Sequence, residues 1–213
     1  MFGAYPVLCR CVAIGLLALT LGMPTHRADA DAPNQEIADP PQALDFIDHL
    51  AAQAFATMND RSLTEAERNQ RFRTYLDRGF NTRYIALMAL GPYCRNLSES
   101  QLADYEMQFS DYLFTKYSTL VETANITRFR TVAAQSAGPR DALVTVMVSR
   151  PGDTLDTEWR VRVFDGELRV IDVKVEGLSL TMSVRDEFET WIKRSGLQGL
   201  MTALRSYSVA NRA

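Results

Sequence analysis

Two periods of apolar residues follow one another along this chain. From residue 42 to about 120 apolar positions recur every third or fourth residue, as one face of an amphipathic helix requires. Leu44, Ile47, Ala51, Phe55 and Met58 form such a stripe in QALDFIDHLAAQAFATMND. A second helix is predicted from Thr64, which with Glu67 makes a T-x-x-E capping box, and it runs through Phe72, Tyr75, Leu76 and Phe80. A short third helix in NTRYIALMALGPYCRN should end or bend at Gly91-Pro92. Ser98 and Gln101 repeat the capping pattern. They open a longer helix to about Leu120, with Leu102, Tyr105, Phe109, Tyr112, Leu113, Lys116 and Tyr117 near one side.

The rhythm then changes to alternation. NITRFRTVAAQ, DALVTVMVSR, DTEWRVRVFD and ELRVIDVKVEG are four predicted strands. Gly138-Pro139, Pro151-Gly152-Asp153 and Asp165-Gly166 separate them, the last as a two-residue hairpin signal. Val144, Val146 and Val148 make one apolar row. Trp159, Val161 and Val163 alternate with Glu158, Arg160 and Arg162, and Ile171, Val173 and Val175 alternate with Asp172, Lys174 and Glu176. Side by side, these rows give a sheet with one apolar face and one charged, wet face. Past Gly177 the helical period returns with Leu180, Val184, Phe188, Trp191 and Ile192. Helices, a four-stranded antiparallel meander and two C-terminal helices packed on one sheet face imply an α+β fold. Periodicity shows which face is covered; it leaves open whether the covered space is filled or hollow.

The first 41 residues belong to neither pattern. Arg10 precedes the apolar run Val12 to Met23, and Ala28-Asp29-Ala30 supplies a small-residue exit. This is the layout of a secretory signal peptide over residues 1–30, too short in its apolar run to span a membrane. Residues 31–41, DAPNQEIADPP, read as a flexible leader, and 42–210 as a single domain. Removal of Arg10, Arg27 and Asp29 leaves 21 basic and 25 acidic residues, a formal net charge of −4. A nucleic-acid binder would carry a basic excess, so that class is disfavoured. One cysteine, Cys94, remains after residue 30, so no internal disulfide is expected and the core must hold the fold.

Candidate chemistry is sparse. His49 is the one histidine after residue 30, with Asp45 one turn earlier as a surface partner. A Ser-His-Asp or Cys-His arrangement would have to use it. There is no phosphate-cradling glycine loop, no EF-hand spacing and no His cluster, so no cofactor, metal or catalytic residue is assigned. Cys94, between Tyr93 and Arg95, reads as a small buried hydrophobe.

The segment VIDVKVEGLSLTMSVRDEF carries the pattern D-V-x-V-E-G-[VL]-S-L followed by Arg and Phe, here Asp172, Val173, Val175, Glu176, Gly177, Leu178, Ser179, Leu180, Arg185 and Phe188. RFRTYLDRGFNTRYIALMALGPYCR, FSDYLFTKY and RSGLQGLMTALR add three further ordered segments. Over residues 42–206 the chain resembles the MlaC family, the toluene-tolerance auxiliary proteins, which includes a hopanoid-associated HpnM branch. It departs from the family pattern at Pro92, often basic there, and at Cys94, often Trp.

The resemblance implies a monomeric periplasmic carrier of phospholipid. Such a carrier would shuttle lipid between an outer-membrane lipoprotein complex and an inner-membrane ABC transporter with an MCE-domain ring. The apolar row Val144, Val146, Trp159, Val161, Val173 and Val175 would then line a lipid cavity. Tyr93 and Arg95, in the loop after an apolar helix, and Arg185 in the hallmark segment would lie at its mouth, where a guanidinium matches phosphate. The alternative for each arginine is a structural pair with a carboxylate such as Glu176 or Glu187. Two other functions stay open from the residues alone: a pocket enzyme with Asp172 as base, and an adaptor with a filled core.

Overall fold

The structure, a computed structural model, describes residues 37–210, and side chains throughout that range except at 119–123 and 208–210. The predicted signal peptide and residues 31–36 of the predicted leader lie outside the described residues. At the start of the described chain, Ala38 is fully buried and its N–H donates to the Arg140 carbonyl. Pro40 then opens helix α1, Pro40–Asn59.

The helical half follows local chemistry closely. Helix α2, Glu65–Gly79, begins on the predicted capping box: Thr64 N–H donates to Glu67 Oε2 at 2.7 Å, and Glu67 N–H returns to Thr64 Oγ1 at 3.3 Å. Helix α3, Thr82–Leu90, is capped by Asn81 and stops where Gly91 takes a φ of 59°. A 3-10 turn over Gly91–Asn96 leads to helix α4, Glu99–Thr123. That helix starts on the second reciprocal cap, between Ser98 and Gln101. Where α2 ends, Gly79 lies against Leu50 of α1. A Cβ there would sit 2.6 Å from a Leu50 methyl, so glycine lets Leu50 pack directly on the α2 backbone and any larger residue would make that side chain shift.

The sheet is antiparallel throughout, in the order β1 Arg128–Ser136, β2 Asp141–Arg150, β3 Asp153–Phe164, β4 Glu167–Val175 and β5 Leu178–Ser179. Asp165 and Gly166 both have positive φ, the geometry of the predicted tight hairpin. Two features depart from the sequence reading. The sheet has five strands rather than four, because Glu176 and Gly177 make a second two-residue hairpin and Val175 pairs with Leu178. Strand β4 also carries a bulge: Arg160 pairs with Asp172, but Val161 pairs with Val170, so Ile171 is the extra residue. The inward row of β4 is therefore Val170, Val173 and Val175, and Ile171 leaves the alternation.

Helix α5, Leu180–Ala210, begins where Thr181 N–H donates to Asp172 and Met182 N–H to Ser179. It breaks at Gly196, whose φ of 70° no helix accommodates, so the two predicted C-terminal helices form with a kink between them. Two buried clusters result. One joins α3, α4 and α5 around Tyr105, Phe109, Tyr112, Phe188, Leu200 and Leu204. The other packs α1 on the sheet around Ile47, Val144, Val146, Val161 and Val170. Phe80 packs against both. It is held at the junction by a parallel bridge to Val170 and by Asn81 N–H donating to the Val170 carbonyl.

Candidate functional site: an apolar cavity with a polar mouth

Where the two clusters meet, the interior is open. A cavity of about 400 Å³ lies between the sheet and helices α1, α2, α4 and α5. Val148, Leu155, Trp159, Val173 and Val175 form its sheet wall. Leu50, Ala54 and Met58 form a row along α1, at four-residue spacing, and Phe72, Leu76, Leu113, Phe114, Leu180 and Val184 complete the helical wall. Ala51 and Phe55 of α1 also line the cavity, while Ala43 and Ile47 nearer its start pack in the sheet cluster, with Leu50 bordering both.

Several polar side chains of this wall are bonded within the fold, and Asp77, Ser110, Tyr117 and Glu176 add further polar groups to the lining. Trp159 Nε1–H donates to Thr157 Oγ1 at 3.0 Å, and Thr157 Oγ1 donates to the Val146 carbonyl at 2.9 Å. The Tyr75 hydroxyl bonds Thr57 at 3.0 Å. Arg73 pairs with Asp111 at 2.8 Å and lies over the Phe114 ring. The groups that hold such partners gain little from water, and the wall as a whole offers a guest mostly apolar contact. Tyr117 also lines the cavity. Burial, and then the charges of Glu187 and Asp172, push its phenol up to about 12, so it stays un-ionised.

At one end the cavity meets a larger recess of about 830 Å³. Phe55, Met58, Phe72, Ile126 and Phe129 border both spaces and form an apolar collar between them. Beyond the collar the lining turns polar, with Asn59, Asp60, Arg61, Glu65, Arg68 and Asn125. The charged groups come from the turn between α1 and α2 and from the start of α2.

The residues singled out from the sequence fall into three places. Trp159, Val173 and Val175 line the cavity. Val144, Val146 and Val161 are fully buried beside them in the α1–sheet cluster, with Val144 next to Trp159 in register. Tyr93, Arg95 and Arg185 border neither the cavity nor the recess. Tyr93 packs on the α3–α4–α5 cluster, Arg95 is exposed, and the Arg185 guanidinium lies against Gly91. Arg61, in the turn after α1, and Arg68, on the polar side of α2, were not distinguished by apolar periodicity.

Asp77, Asp172 and Glu176 are the carboxylates that line the cavity. Asp172 accepts the Thr181 N–H at the start of α5. His49 is exposed and its Nδ1 bonds the Asp45 backbone carbonyl at 2.7 Å rather than the carboxylate. Among the described residues no three His, Cys, Asp or Glu side chains gather as a metal site, and no helix is long and apolar enough to cross a membrane.

Helices folded over one face of an antiparallel meander, with an apolar cavity between them, define an α+β protein built around an interior space. The chain belongs to the MlaC family, whose model, described as MlaC protein, matches residues 48–206. Among solved structures it is similar to the phospholipid-binding protein from Ralstonia solanacearum in complex with a phospholipid. The TM-score is 0.66 at 20% sequence identity, over 80% of this chain and 99% of that one. At that identity the likeness establishes the shared fold.

Proposed function

We propose that this protein is a periplasmic phospholipid carrier rather than an enzyme. The acyl chains occupy the cavity and the headgroup lies in the recess. One observation carries this reading: a predominantly apolar chamber adjoins a polar recess, the two sharing the apolar residues Phe55, Met58, Phe72, Ile126 and Phe129. That sequence of surfaces complements an amphiphile. Each methylene taken from water contributes about 0.8 kcal/mol, so acyl chains supply the affinity without any catalytic group. Trp159, Val173 and Val175 contact the chains, and Val144, Val146 and Val161 hold that wall rigid from within the sheet. Family membership and the phospholipid named with the Ralstonia solanacearum protein support the choice of ligand. In this reading the carrier moves lipid between an outer-membrane lipoprotein complex and an inner-membrane MCE-domain ABC transporter, after loss of a signal peptide near Ala30.

Native mass spectrometry of the protein recovered from the periplasm tests the ligand. The expected spectrum shows folded protein with a phospholipid mass added. Folded protein that is bare, and that moves no labelled phospholipid between vesicles, would overturn the reading.

A further inference from the structure

The recess carries two arginines whose side chains are little used by the fold. Arg61, in the turn after α1, is exposed and has no hydrogen bond or ion pair among the described residues. Arg68, in the first turns of α2, donates from Nη1 to the Leu63 carbonyl at 2.7 Å and has no ion pair among the described residues. Two carboxylates, Asp60 and Glu65, share the recess, and Asp60 is already engaged. Its Oδ1 accepts from the Ser62 N–H at 2.9 Å and from the Ser62 hydroxyl at 2.5 Å. Those two bonds hold its carboxyl below the usual range.

Position gives these guanidiniums a direction. They line the recess, which shares Phe55, Met58, Phe72, Ile126 and Phe129 with the cavity. A chain-bearing ligand seated in the cavity would emerge through the collar. In a glycerophospholipid the first charged group past the acyl esters is the phosphate. A guanidinium presents a planar fork of N–H donors that fits two phosphate oxygens at once, and such charge-assisted bonds are the stronger kind.

We infer that Arg61 and Arg68 hold the phosphate of the bound lipid, which makes the recess a phosphate-ester site. The inference rests on the carrier reading and goes beyond it by assigning the group that discriminates between amphiphiles with the same tails. The α3 loop arginine, Arg95, and Arg185 have no part in it.

The experiment compares uptake of two ligands with identical acyl chains, phosphatidylglycerol and diacylglycerol, from labelled vesicles. Wild type, Arg61→Gln and the Arg61→Gln/Arg68→Gln double variant are measured, with thermal melts as a check of folding. Arg61→Gln removes no bond within the fold, so it reports even if the double variant is unstable. The double variant is expected to bind phosphatidylglycerol roughly tenfold more weakly, and Arg61→Gln about threefold, with diacylglycerol unchanged. Equal losses for both lipids, or no loss for either, would overturn the assignment. Inorganic phosphate alone is the third arm. Tight, arginine-dependent binding of it to lipid-free protein would reassign the recess to a free anion and overturn the headgroup assignment. Uptake of neither lipid by wild type would sink the carrier reading itself, a result distinct from the other outcomes.

Discussion

Phe188 and Val173 are both apolar residues on inward faces of their elements, and their surroundings differ. Phe188 is fully buried, with the rings of Tyr112, Phe109 and Trp191 at 5.3, 5.9 and 6.0 Å. Val173 is half-buried and faces the cavity. The α3–α4–α5 cluster is filled because large rings from α4 and α5 interlock and the aliphatic side chains of α3 close over them. Across the sheet, valine follows valine. A short branched side chain covers its strand but does not reach the opposite helix. Valines Val144, Val146, Val161 and Val170 are fully buried where α1 packs against them, whereas Val173 and Val175, further along the face, are left lining open space. The lesson is that a hollow needs no special residue. It needs ordinary short side chains on one wall and helices held off that wall by something else, here the Phe80 junction and the solid helical cluster.

This contrast can be broken from either side. The largest effect is expected at the filled end. Phe188→Ala should cost about 3–5 kcal/mol, since the surrounding rings cannot close the void. Urea unfolding measures it, and a loss below about 1 kcal/mol would mean that this cluster is not close-packed. Lipid uptake should fall only in proportion to the fraction unfolded.

Asp141 tests what holds the outer face of the sheet. It is 2% exposed and meets Arg160 and Arg162 at 2.6 Å each, with Arg162 lying over the Tyr84 ring. Burial works to raise its pKa, but hydrogen bonds and charge from the two guanidiniums prevail and lower it. A lowered folded pKa means stability that is present above the unfolded value, near 3.9, and is lost as pH falls through the folded value. Asp141→Asn should therefore cost about 3 kcal/mol at neutral pH, because two guanidiniums lose their buried partner. The gap between variant and wild type should narrow as pH falls below about 4. Denaturant melts across that range check it; a gap independent of pH would show that the carboxylate charge is not what stabilises.

Filling the hollow should do the reverse of emptying the core. Val173→Trp places a large ring in space that already exists, so stability should change by no more than about 1 kcal/mol. Phospholipid uptake should drop at least about tenfold, because the ring displaces the methylenes that supply affinity. Unchanged uptake in a folded variant would take Val173 off the ligand path. The smallest effect is expected at Arg95, exposed and away from both spaces. Arg95→Ala should alter stability by under about 0.5 kcal/mol and leave uptake as in wild type. A selective loss of phospholipid there would return the headgroup to the α3 loop.

Much of the architecture is local in origin and was legible in the sequence. The capping boxes at Thr64 and Ser98, the Asp165-Gly166 hairpin and the alternation of Trp159, Val161 and Val163 each depend on residues a few positions apart. The α+β arrangement follows from where one period gives way to the other. The bulge at Ile171 and the strand at Leu178–Ser179 were not legible, because both are properties of pairing between strands rather than of either strand alone. Tyr93 and Arg95 border neither space for a related reason: a position after an apolar helix is local, but which loop borders a cavity depends on how helices pack. Sequence by itself determined which side of each element is apolar. Only the tertiary structure decided how far apart those sides stand, since periodicity encodes the direction of a side chain and carries no information on the distance to its neighbour across the core. That distance makes one apolar face a core and the next the wall of a cavity.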